Sequence, residues 1–205
     1  MQWHRGNLFL IGLMGAGKTT RGRRLAASLD KPFVDCDVEL ERRLGCTISE
    51  IFEKEGEDAF RDREQALLME LVQREGIVLS TGGGAVLREA NREQLRANGT
   101  VVYLRATPDV LAKRLRRATD RPLLRTAEDL TARLEKLYEI RDPLYRQTAH
   151  CVIESTSDVV ACLIADQRSG IVDAAWASET QTGEAPSGAE SGISQKSGIG
   201  NFNAD

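Results

Sequence analysis

The sequence has no large excess of charge of one sign. Its 205 residues include 28 lysines and arginines against 31 aspartates and glutamates, so the formal net charge is only −3 at pH 7. Proteins that attract nucleic acid or an anionic membrane through a broad surface have a strongly basic balance. We therefore expect no nucleic-acid partner and no membrane partner, and any binding of phosphate must be local.

Cysteine is scarce, and its spacing excludes a common kind of metal centre. The 4 cysteines form no CxxC pair and have no histidine cluster near them: Cys36, Cys46, Cys151 and Cys162. Structural zinc sites need such groupings of thiolates and imidazoles. We interpret the cysteines as free thiols in a reducing compartment, which predicts a cytoplasmic protein.

Long apolar runs are absent as well. No stretch is long and apolar enough to span a bilayer. The run over residues 8–16 follows His4 and Arg5 like the core of a secretory signal, but it leads directly into Gly17-Lys18-Thr19. A buried strand explains this run better than a signal peptide does.

The sequence does contain a regular alternation of strand and helix patterns. Short apolar or β-branched runs predict strands at residues 8–11, 32–35, 77–80, 100–104 and 151–153. Helical periodicity predicts helices at residues 19–29, 48–74, 88–98, 108–117 and 127–146. This alternation indicates an α/β fold with a parallel sheet covered on both faces, and ligands of such sheets bind at the carboxyl ends of the strands.

The composition changes near residue 169. From there on Gly, Ser, Ala, Thr, Glu and Gln dominate, and apolar residues become isolated. Such a segment buries too little apolar surface to offset the entropy lost on ordering. We therefore predict one folded domain over residues 1–168 and a disordered, low-complexity tail over residues 169–205.

A phosphate-binding motif follows the first predicted strand. Residues 12–19, GLMGAGKT, match the pattern G-x-x-x-x-G-K-[ST] between a strand and a helix. Lys18 is predicted to reach the β- and γ-phosphates of ATP as a catalytic group, and the Thr19 hydroxyl to ligate Mg²⁺. Backbone N–H groups at the helix N-terminus complete the predicted ATP site, at Gly15, Ala16, Gly17 and Thr20. GTPases, transporters and small-molecule kinases share this motif, but the guanine-reading pattern Asn-Lys-x-Asp is absent.

Two carboxylates, Asp35 and Asp37, follow the second predicted strand. They lie beside the phosphate motif if that strand neighbours the first one. Alternate residues on an extended chain point to opposite sides, so Asp35 can hold Mg²⁺ through water while Asp37 faces an acceptor alcohol. The alternative is that Asp37 caps a helix over residues 38–44. The sequence by itself leaves both interpretations open.

Further segments complete a recognisable set: Phe60-Arg61, Gly82-Gly83-Gly84, Arg121-Pro122-Leu123-Leu124 and Arg141-Asp142-Pro143-Leu144-Tyr145. With the phosphate motif and Asp35-x-Asp37, this set resembles the signature of the shikimate kinase family over residues 7–166. The resemblance implies a P-loop NTPase of the nucleoside monophosphate kinase-like fold, with a five-stranded parallel sheet in the order 2-3-1-4-5 and a lid. It also implies Mg²⁺-dependent transfer of the ATP γ-phosphoryl group to the 3-hydroxyl of shikimate, giving shikimate 3-phosphate and ADP in aromatic amino-acid biosynthesis.

The resemblance assigns acceptor-side roles by position. Asp37 matches the catalytic aspartate that receives the substrate hydroxyls, as a base or as a positioning group. Arg61 and Arg141 match the arginines that hold the shikimate carboxylate. The middle glycine of the run, Gly83, matches one that contacts the substrate through its backbone. A side chain at Gly82, Gly83 or Gly84 would keep the substrate ring from approaching the backbone, so glycine is predicted to be needed at all three.

Nucleotide-side roles follow in the same way. Arg121 on the lid matches a catalytic arginine that reaches the ATP phosphates. Arg117, next to Arg116, matches a position that packs against adenine. Some family members have a nucleotide-contacting arginine near Asp158, and this chain lacks it.

Two other functions compete with this hypothesis. One is a kinase of another small metabolite, such as gluconate or a nucleoside monophosphate, but those relatives lack the combination of Asp37, Arg61, the glycine run and Arg141. The other is a nucleotide-binding module without catalysis, which the intact Lys18 and Asp37 argue against. We also expect a monomer.

Overall fold

The apolar run before the phosphate motif forms the middle strand of a sheet. All residues of this strand, β1 (Leu8–Ile11), are buried, because the sheet is covered on both faces. The computed structural model describes residues 6–118 and 127–158, and of residues 118 and 127–129 the backbone only. Arg121, Cys162 and the predicted tail lie outside the described residues.

Five parallel strands make up the sheet, in the order β2-β3-β1-β4-β5. The other strands are β2 (Phe33–Asp35), β3 (Val78–Ser80), β4 (Thr100–Arg105) and β5 (Cys151–Glu154). The predicted fold class and strand order are thereby confirmed, and each strand bound agrees with the prediction to within one residue.

Helices join the strands and cover the sheet. They are α1 (Lys18–Ser28), α2 (Cys36–Leu44), α3 (Ile48–Leu71), α4 (Glu89–Asn98), α5 (Pro108–Ala118) and α6 (Ala127–Thr148). A short 3-10 helix, Ala85–Leu87, follows the glycine run and was not predicted. None of the described helices is long and apolar enough to cross a membrane.

The carboxyl ends of three strands meet at one edge of the sheet. The phosphate loop follows β1, Asp35 ends β2, and Gly82 comes two residues after the end of β3. Strand β3 pairs with both β1 and β2 and therefore lies between them. The acidic pair was expected beside the phosphate motif on the condition that β2 neighbours β1, and the structure does not meet this condition. Asp35 still reaches the phosphate loop, since the loop continues into α1, and α1 packs near β2.

Helix α3 is interrupted at Gly56, whose backbone has φ 83° and ψ 178°. This combination is accessible essentially only to glycine. The first part of α3 begins with a capping box, in which Thr47 and Glu50 each bond the other's backbone N–H. The second part carries Arg61, so the break at Gly56 sets the direction in which that arginine approaches the sheet edge.

Candidate active site

The phosphate loop has the backbone shape that its sequence predicts. Gly17 is the N-cap of α1 in the left-handed region, with φ 90°. A Cβ at Gly12 would lie 2.7 Å from the Leu104 carbonyl oxygen, so the loop also passes close to β4 at this point. The Lys18 Nζ atom donates hydrogen bonds to the Gly12 carbonyl at 2.7 Å and to the Leu13 carbonyl at 3.2 Å. The ammonium group is therefore held against the phosphate loop, where it is predicted to bind phosphate.

The Lys18 ammonium group loses its proton more readily than that of an exposed lysine, because it is buried. Desolvation lowers the pKa of this ammonium group from 10.5 to about 8, although Asp37 and then Asp35 act in the opposite direction. Near neutral pH Lys18 remains charged, so it can neutralise phosphate oxygens. Above pH 8 most of that charge is lost.

Asp35 accepts three hydrogen bonds, which decide between the two interpretations of the acidic pair. Its Oδ1 atom accepts from the backbone N–H groups of Asp37 at 3.1 Å and Val38 at 3.4 Å, which makes Asp35 the N-cap of α2. Its Oδ2 atom accepts from the Thr19 hydroxyl at 2.7 Å. The alternative that Asp37 caps the helix is therefore wrong, because the helix begins at Cys36.

Asp37 lies in the first turn of α2 instead of on an extended strand. The separation of the two carboxylates therefore comes from the junction of strand and helix, and not from alternation along a strand as expected. Burial, and after it the charge of Asp35, raises the pKa of the Asp37 carboxyl from 3.8 to about 6, although Lys18 acts in the opposite direction. Cys36, between the two acids, is a buried thiol whose pKa is raised by the same desolvation.

Arg61 is held at the same edge of the sheet by two carboxylates. Its Nη1 atom lies 2.6 Å from Glu64 Oε2, and its Nη2 atom lies 3.0 Å from Glu57 Oε1. Its guanidinium carbon lies 5.0 Å from the centre of the Phe60 ring. Glu64 is only 4% exposed, and its Oε1 atom has no hydrogen-bond partner among the described residues. Buried carboxylate oxygens normally have one, so this atom marks a polar site beside Arg61.

The glycine run lies against these side chains. A Cβ at Gly82 would lie 2.3 Å from Glu64 Oε1 and 2.9 Å from Asp37 Oδ1. A Cβ at Gly84 would lie 2.3 Å from the Arg61 guanidinium nitrogens. The sequence predicts that all three glycines are needed for a ring to approach the backbone, but Gly82 and Gly84 are already required by the protein's own side chains.

Gly83 differs from its neighbours. The nearest atom to a Cβ there would be the Met14 backbone nitrogen at 3.5 Å, and the Gly12 carbonyl oxygen would follow at 3.7 Å. The phosphate loop therefore lies beside Gly83, at a distance that leaves room for about one Cβ atom between them. The Gly83 carbonyl accepts from Arg141 Nη1 at 3.2 Å and from the Tyr145 hydroxyl at 2.5 Å.

A cavity of about 360 Å³ lies between the phosphate loop and the acidic pair. Its walls include both carboxylates and the phosphate loop, with contributions from the ends of β3 and α5. The lining residues are Met14, Gly15, Gly17, Lys18, Thr19, Thr20, Asp35, Asp37, Ser80, Thr81, Arg114 and Leu115. The cavity thus brings the predicted phosphate and metal residues together with Asp37, whereas Arg61, Arg141 and the glycine run are not part of its lining.

Arg114 connects the phosphate loop to the loop after β5. Its Nη1 atom donates to Ser155 Oγ at 2.9 Å and lies 3.3 Å from the Ala16 carbonyl oxygen, and its Nη2 atom donates to the Ser155 carbonyl at 2.9 Å. Arg21 of α1 bonds the same two carbonyls, those of Ala16 and Ser155. Arg117, predicted to contact adenine, is exposed one turn later on α5.

Glu64 and Arg114 were not predicted as site residues from the sequence. Glu64 stands three residues after Arg61 on a helix, a spacing that favours an ion pair, and this signal was available. Arg114 is one of several basic residues near the end of α5, so composition does not distinguish it from Arg116 or Arg117. In the described ranges 6–118 and 127–158, no three His, Cys, Asp or Glu side chains form a metal-binding group.

Comparison with known proteins gives one consistent family. The family model "Shikimate kinase" matches residues 14–167. The chain is 57% identical over 163 residues to a shikimate kinase of Cupriavidus pinatubonensis, which covers 80% of this chain and 84% of that protein. It is 59% identical over 149 residues to a shikimate kinase of Burkholderia lata, which covers 73% of this chain and 80% of that protein.

Solved structures agree with the sequence comparisons. A shikimate kinase from Acinetobacter baumannii in complex with shikimate superposes with a TM-score of 0.71 at 47% identity, over 79% of this chain and 92% of that chain. A shikimate kinase from Aquifex aeolicus superposes with a TM-score of 0.69 at 33% identity, over 80% of this chain and 97% of that chain.

Proposed function

The chain belongs to the shikimate kinase family and is an ATP-dependent kinase, and we propose that it phosphorylates shikimate with the residues that line the cavity and those that surround the glycine run. The reaction transfers the γ-phosphoryl group of ATP to the 3-hydroxyl of shikimate and gives shikimate 3-phosphate and ADP. One observation supports the proposal most directly. The glycine run lies against the proposed acceptor side chains at Gly82 and Gly84 and beside the phosphate loop at Gly83, so the proposed donor and acceptor groups are adjacent.

The donor side provides charge and a fixed loop. Phosphoryl transfer has a loose transition state, so positioning and neutralisation of phosphate charge do most of the catalysis. Lys18 and the N-terminal N–H groups of α1 would bind the phosphate oxygens. Arg114 would approach the nucleotide from α5, since it lines the cavity and bonds the loop after β5. The roles of Arg117 and Arg121 stay predictions from the resemblance.

The pair of Thr19 and Asp35 fits a magnesium ion. A hydroxyl and a carboxylate that already lie 2.7 Å apart are hard oxygen ligands, and Mg²⁺ in kinases takes few protein ligands beside water and phosphate. When bound, the ion supplies positive charge to the phosphates. Asp35 would act through water, because one of its oxygens is used in capping α2.

The acceptor side orients one hydroxyl and holds one carboxylate. Asp37 would accept a hydrogen bond from the reacting hydroxyl, and its raised pKa of about 6 makes it a better proton acceptor than an ordinary aspartate. Arg61 and Arg141 would hold the shikimate carboxylate, since a guanidinium group presents paired donors to such an anion. Glu64 would fix Arg61 in place through the ion pair at 2.6 Å.

The decisive experiment is ATP turnover with shikimate, gluconate or a nucleoside monophosphate as the acceptor. We expect turnover with shikimate only, and shikimate 3-phosphate as the product identified by mass spectrometry and NMR. Lys18→Ala should lose at least about 10²-fold in kcat while it remains folded, because charge aimed at the transferring group is removed. Turnover with gluconate but not with shikimate would contradict the proposal.

A shikimate amide, in which the carboxylate is neutral, tests the arginine assignment. The wild type should discriminate strongly against the amide, while Arg61→Ala and Arg141→Ala should mainly raise KM for shikimate and discriminate much less. Arg121→Ala should mainly lower kcat and keep the discrimination. If only the Arg121 variant lost the discrimination, the arginines would be assigned to the wrong substrates.

A further inference from the structure

The carbonyl group of Gly83 is held from one face of α6 by two donors. The Tyr145 hydroxyl donates to it at 2.5 Å and Arg141 Nη1 donates at 3.2 Å. Residues four apart on a helix lie on the same face, so both donors approach from one side. A carbonyl oxygen has two lone pairs, and both are used here.

The Tyr145 hydroxyl has little freedom to do anything else. Its side chain is fully buried, and its ring stacks on Tyr103 with the ring centres 4.8 Å apart. Tyr103 is in turn fixed by a hydrogen bond of 2.7 Å to Asp142 on the same helix. Burial raises the pKa of the Tyr145 hydroxyl, so it stays a neutral donor throughout the working range of pH.

We propose that Tyr145 is a positioning residue for the acceptor substrate, acting through the Gly83 carbonyl. This inference rests on the proposed function and extends it to a residue that touches neither substrate. A peptide unit is planar, so fixing the Gly83 carbonyl also fixes the direction of the Gly84 N–H group. Tyr145 thereby sets the orientation of the segment that lies against Asp37 at Gly82 and against Arg61 at Gly84.

A second effect concerns Arg141. If the Tyr145 hydroxyl is removed, Arg141 is the remaining donor from α6 to the Gly83 carbonyl. A carbonyl that has lost a partner binds the other donor more strongly, because leaving a buried acceptor unsatisfied is costly. Arg141 is then less available to the carboxylate of the acceptor. Both effects weaken acceptor binding and leave the nucleotide side unchanged.

The test is Tyr145→Phe, with Tyr103→Phe as the matched control. Each substitution removes one buried hydroxyl from the same stacked pair, but only Tyr145 contacts Gly83. We expect KM for shikimate to rise about tenfold in Tyr145→Phe, because Arg141 must then give up about one buried hydrogen bond, to the Gly83 carbonyl, when it binds the carboxylate. KM for ATP should change by less than about twofold, and Tyr103→Phe should leave both constants unchanged. KM does not depend on the fraction of folded enzyme, so a moderate loss of stability does not mimic the result.

Calorimetric titration with shikimate and a double-mutant cycle complete the experiment. Tyr145→Phe and Arg141→Lys should be non-additive in shikimate affinity, because they share one acceptor, while Tyr103→Phe and Arg141→Lys should be additive. Equal effects of the two tyrosine substitutions, or an unchanged affinity in Tyr145→Phe, would overturn the inference. If the wild type does not phosphorylate shikimate, the proposed function itself is refuted. That result needs no variant, so it is distinct from a failure of the inference about Tyr145.

Discussion

Asp37 and Lys18 ionise on either side of neutral pH because burial disfavours the charged form of both groups. It raises the pKa of the Asp37 carboxyl to about 6 and lowers the pKa of the Lys18 ammonium to about 8. In the proposed function the reactive forms are an ionised Asp37 and a protonated Lys18. Both forms are abundant together only between these two values.

We therefore predict a bell-shaped pH profile of kcat/KM for shikimate. Activity should rise as the pH increases through about 6, where Asp37 loses its proton, and fall through about 8, where Lys18 loses its charge. In Asp37→Asn the rise near pH 6 should be lost and kcat should fall far more than ATP affinity. The measurement is steady-state kinetics from pH 5 to about 9.5 with both substrates well below their KM, so that the ionisations of the free enzyme are followed.

ATP phosphate groups also titrate near pH 6, so the acid limb must be assigned by comparing variants. Asp109→Asn is the control for Asp37→Asn, because Asp109 is exposed on α5 and its replacement should keep the complete profile. An acid limb that survives unchanged in Asp37→Asn would assign that limb to ATP and refute the role of Asp37 as the titrating group.

The glycine run allows ligand contact to be separated from protein packing. Gly83→Ala should leave the melting temperature unchanged, since the nearest atom to the new Cβ would lie 3.5 Å away, an ordinary contact. It should nevertheless lower kcat/KM for shikimate about tenfold or more, if the ring approaches this backbone as proposed. Thermal unfolding and steady-state kinetics on the same preparations provide the measurement.

Gly84→Ala serves as the comparison. Its Cβ would lie 2.3 Å from the Arg61 guanidinium, which must move away from Glu64 and Glu57. We expect both a lower melting temperature and a higher KM for shikimate. Full activity in Gly83→Ala would show that the acceptor does not approach the run at its middle residue.

At the scale of the element, α3 is two helical segments with different functions. The first, after the Thr47–Glu50 capping box, contains no predicted site residue, and the second carries Arg61 and Glu64. The break at Gly56 has nothing within 4 Å of a built Cβ, so its glycine is required by backbone conformation and not by space.

Gly56→Ala should therefore lower the free energy of unfolding by about 1–3 kcal/mol, because alanine is strained in this backbone conformation. It should also raise KM for shikimate, because relief of the strain changes the orientation of the segment that carries Arg61. Gly45→Ala is the matched control, since Gly45 also has positive φ, of 68°, and open space around it. It should lose stability without a change in KM. Chemical denaturation and kinetics are the measurements, and equal KM values in both variants would exclude Gly56 as the residue that aims Arg61.

At the scale of the whole molecule, the domain boundary stays a prediction. Deletion of residues 171–205 should leave kcat, both KM values and the melting temperature nearly unchanged, because their composition predicts no core contacts. Kinetics, calorimetry and gel filtration of the two lengths provide the test, and gel filtration also checks the predicted monomer. A drop in melting temperature of more than about 4 °C would show that this segment contributes to the folded domain.

The sequence by itself determined the sheet, the phosphate loop and the family. A buried parallel strand must be apolar along its length, a phosphate loop needs glycines followed by Lys18 and Thr19, and helical periodicity follows from 3.6 residues per turn. These are local requirements, and each is written in consecutive residues. The five predicted strands and the long helices were therefore found with small errors in their bounds.

Only the tertiary structure decided which acid caps α2, why each glycine of the run is needed, and which side chains face the cavity. Asp35 and Asp37 are equivalent in sequence, but the helix begins at Cys36, so Asp35 becomes the cap and Asp37 lies in the first turn, where it lines the cavity. Glu64 and Tyr145 gain their roles from contacts with residues 18 and 62 positions away, Gly82 and Gly83. Such contacts depend on how helices pack on a sheet, and a single sequence does not specify that packing locally.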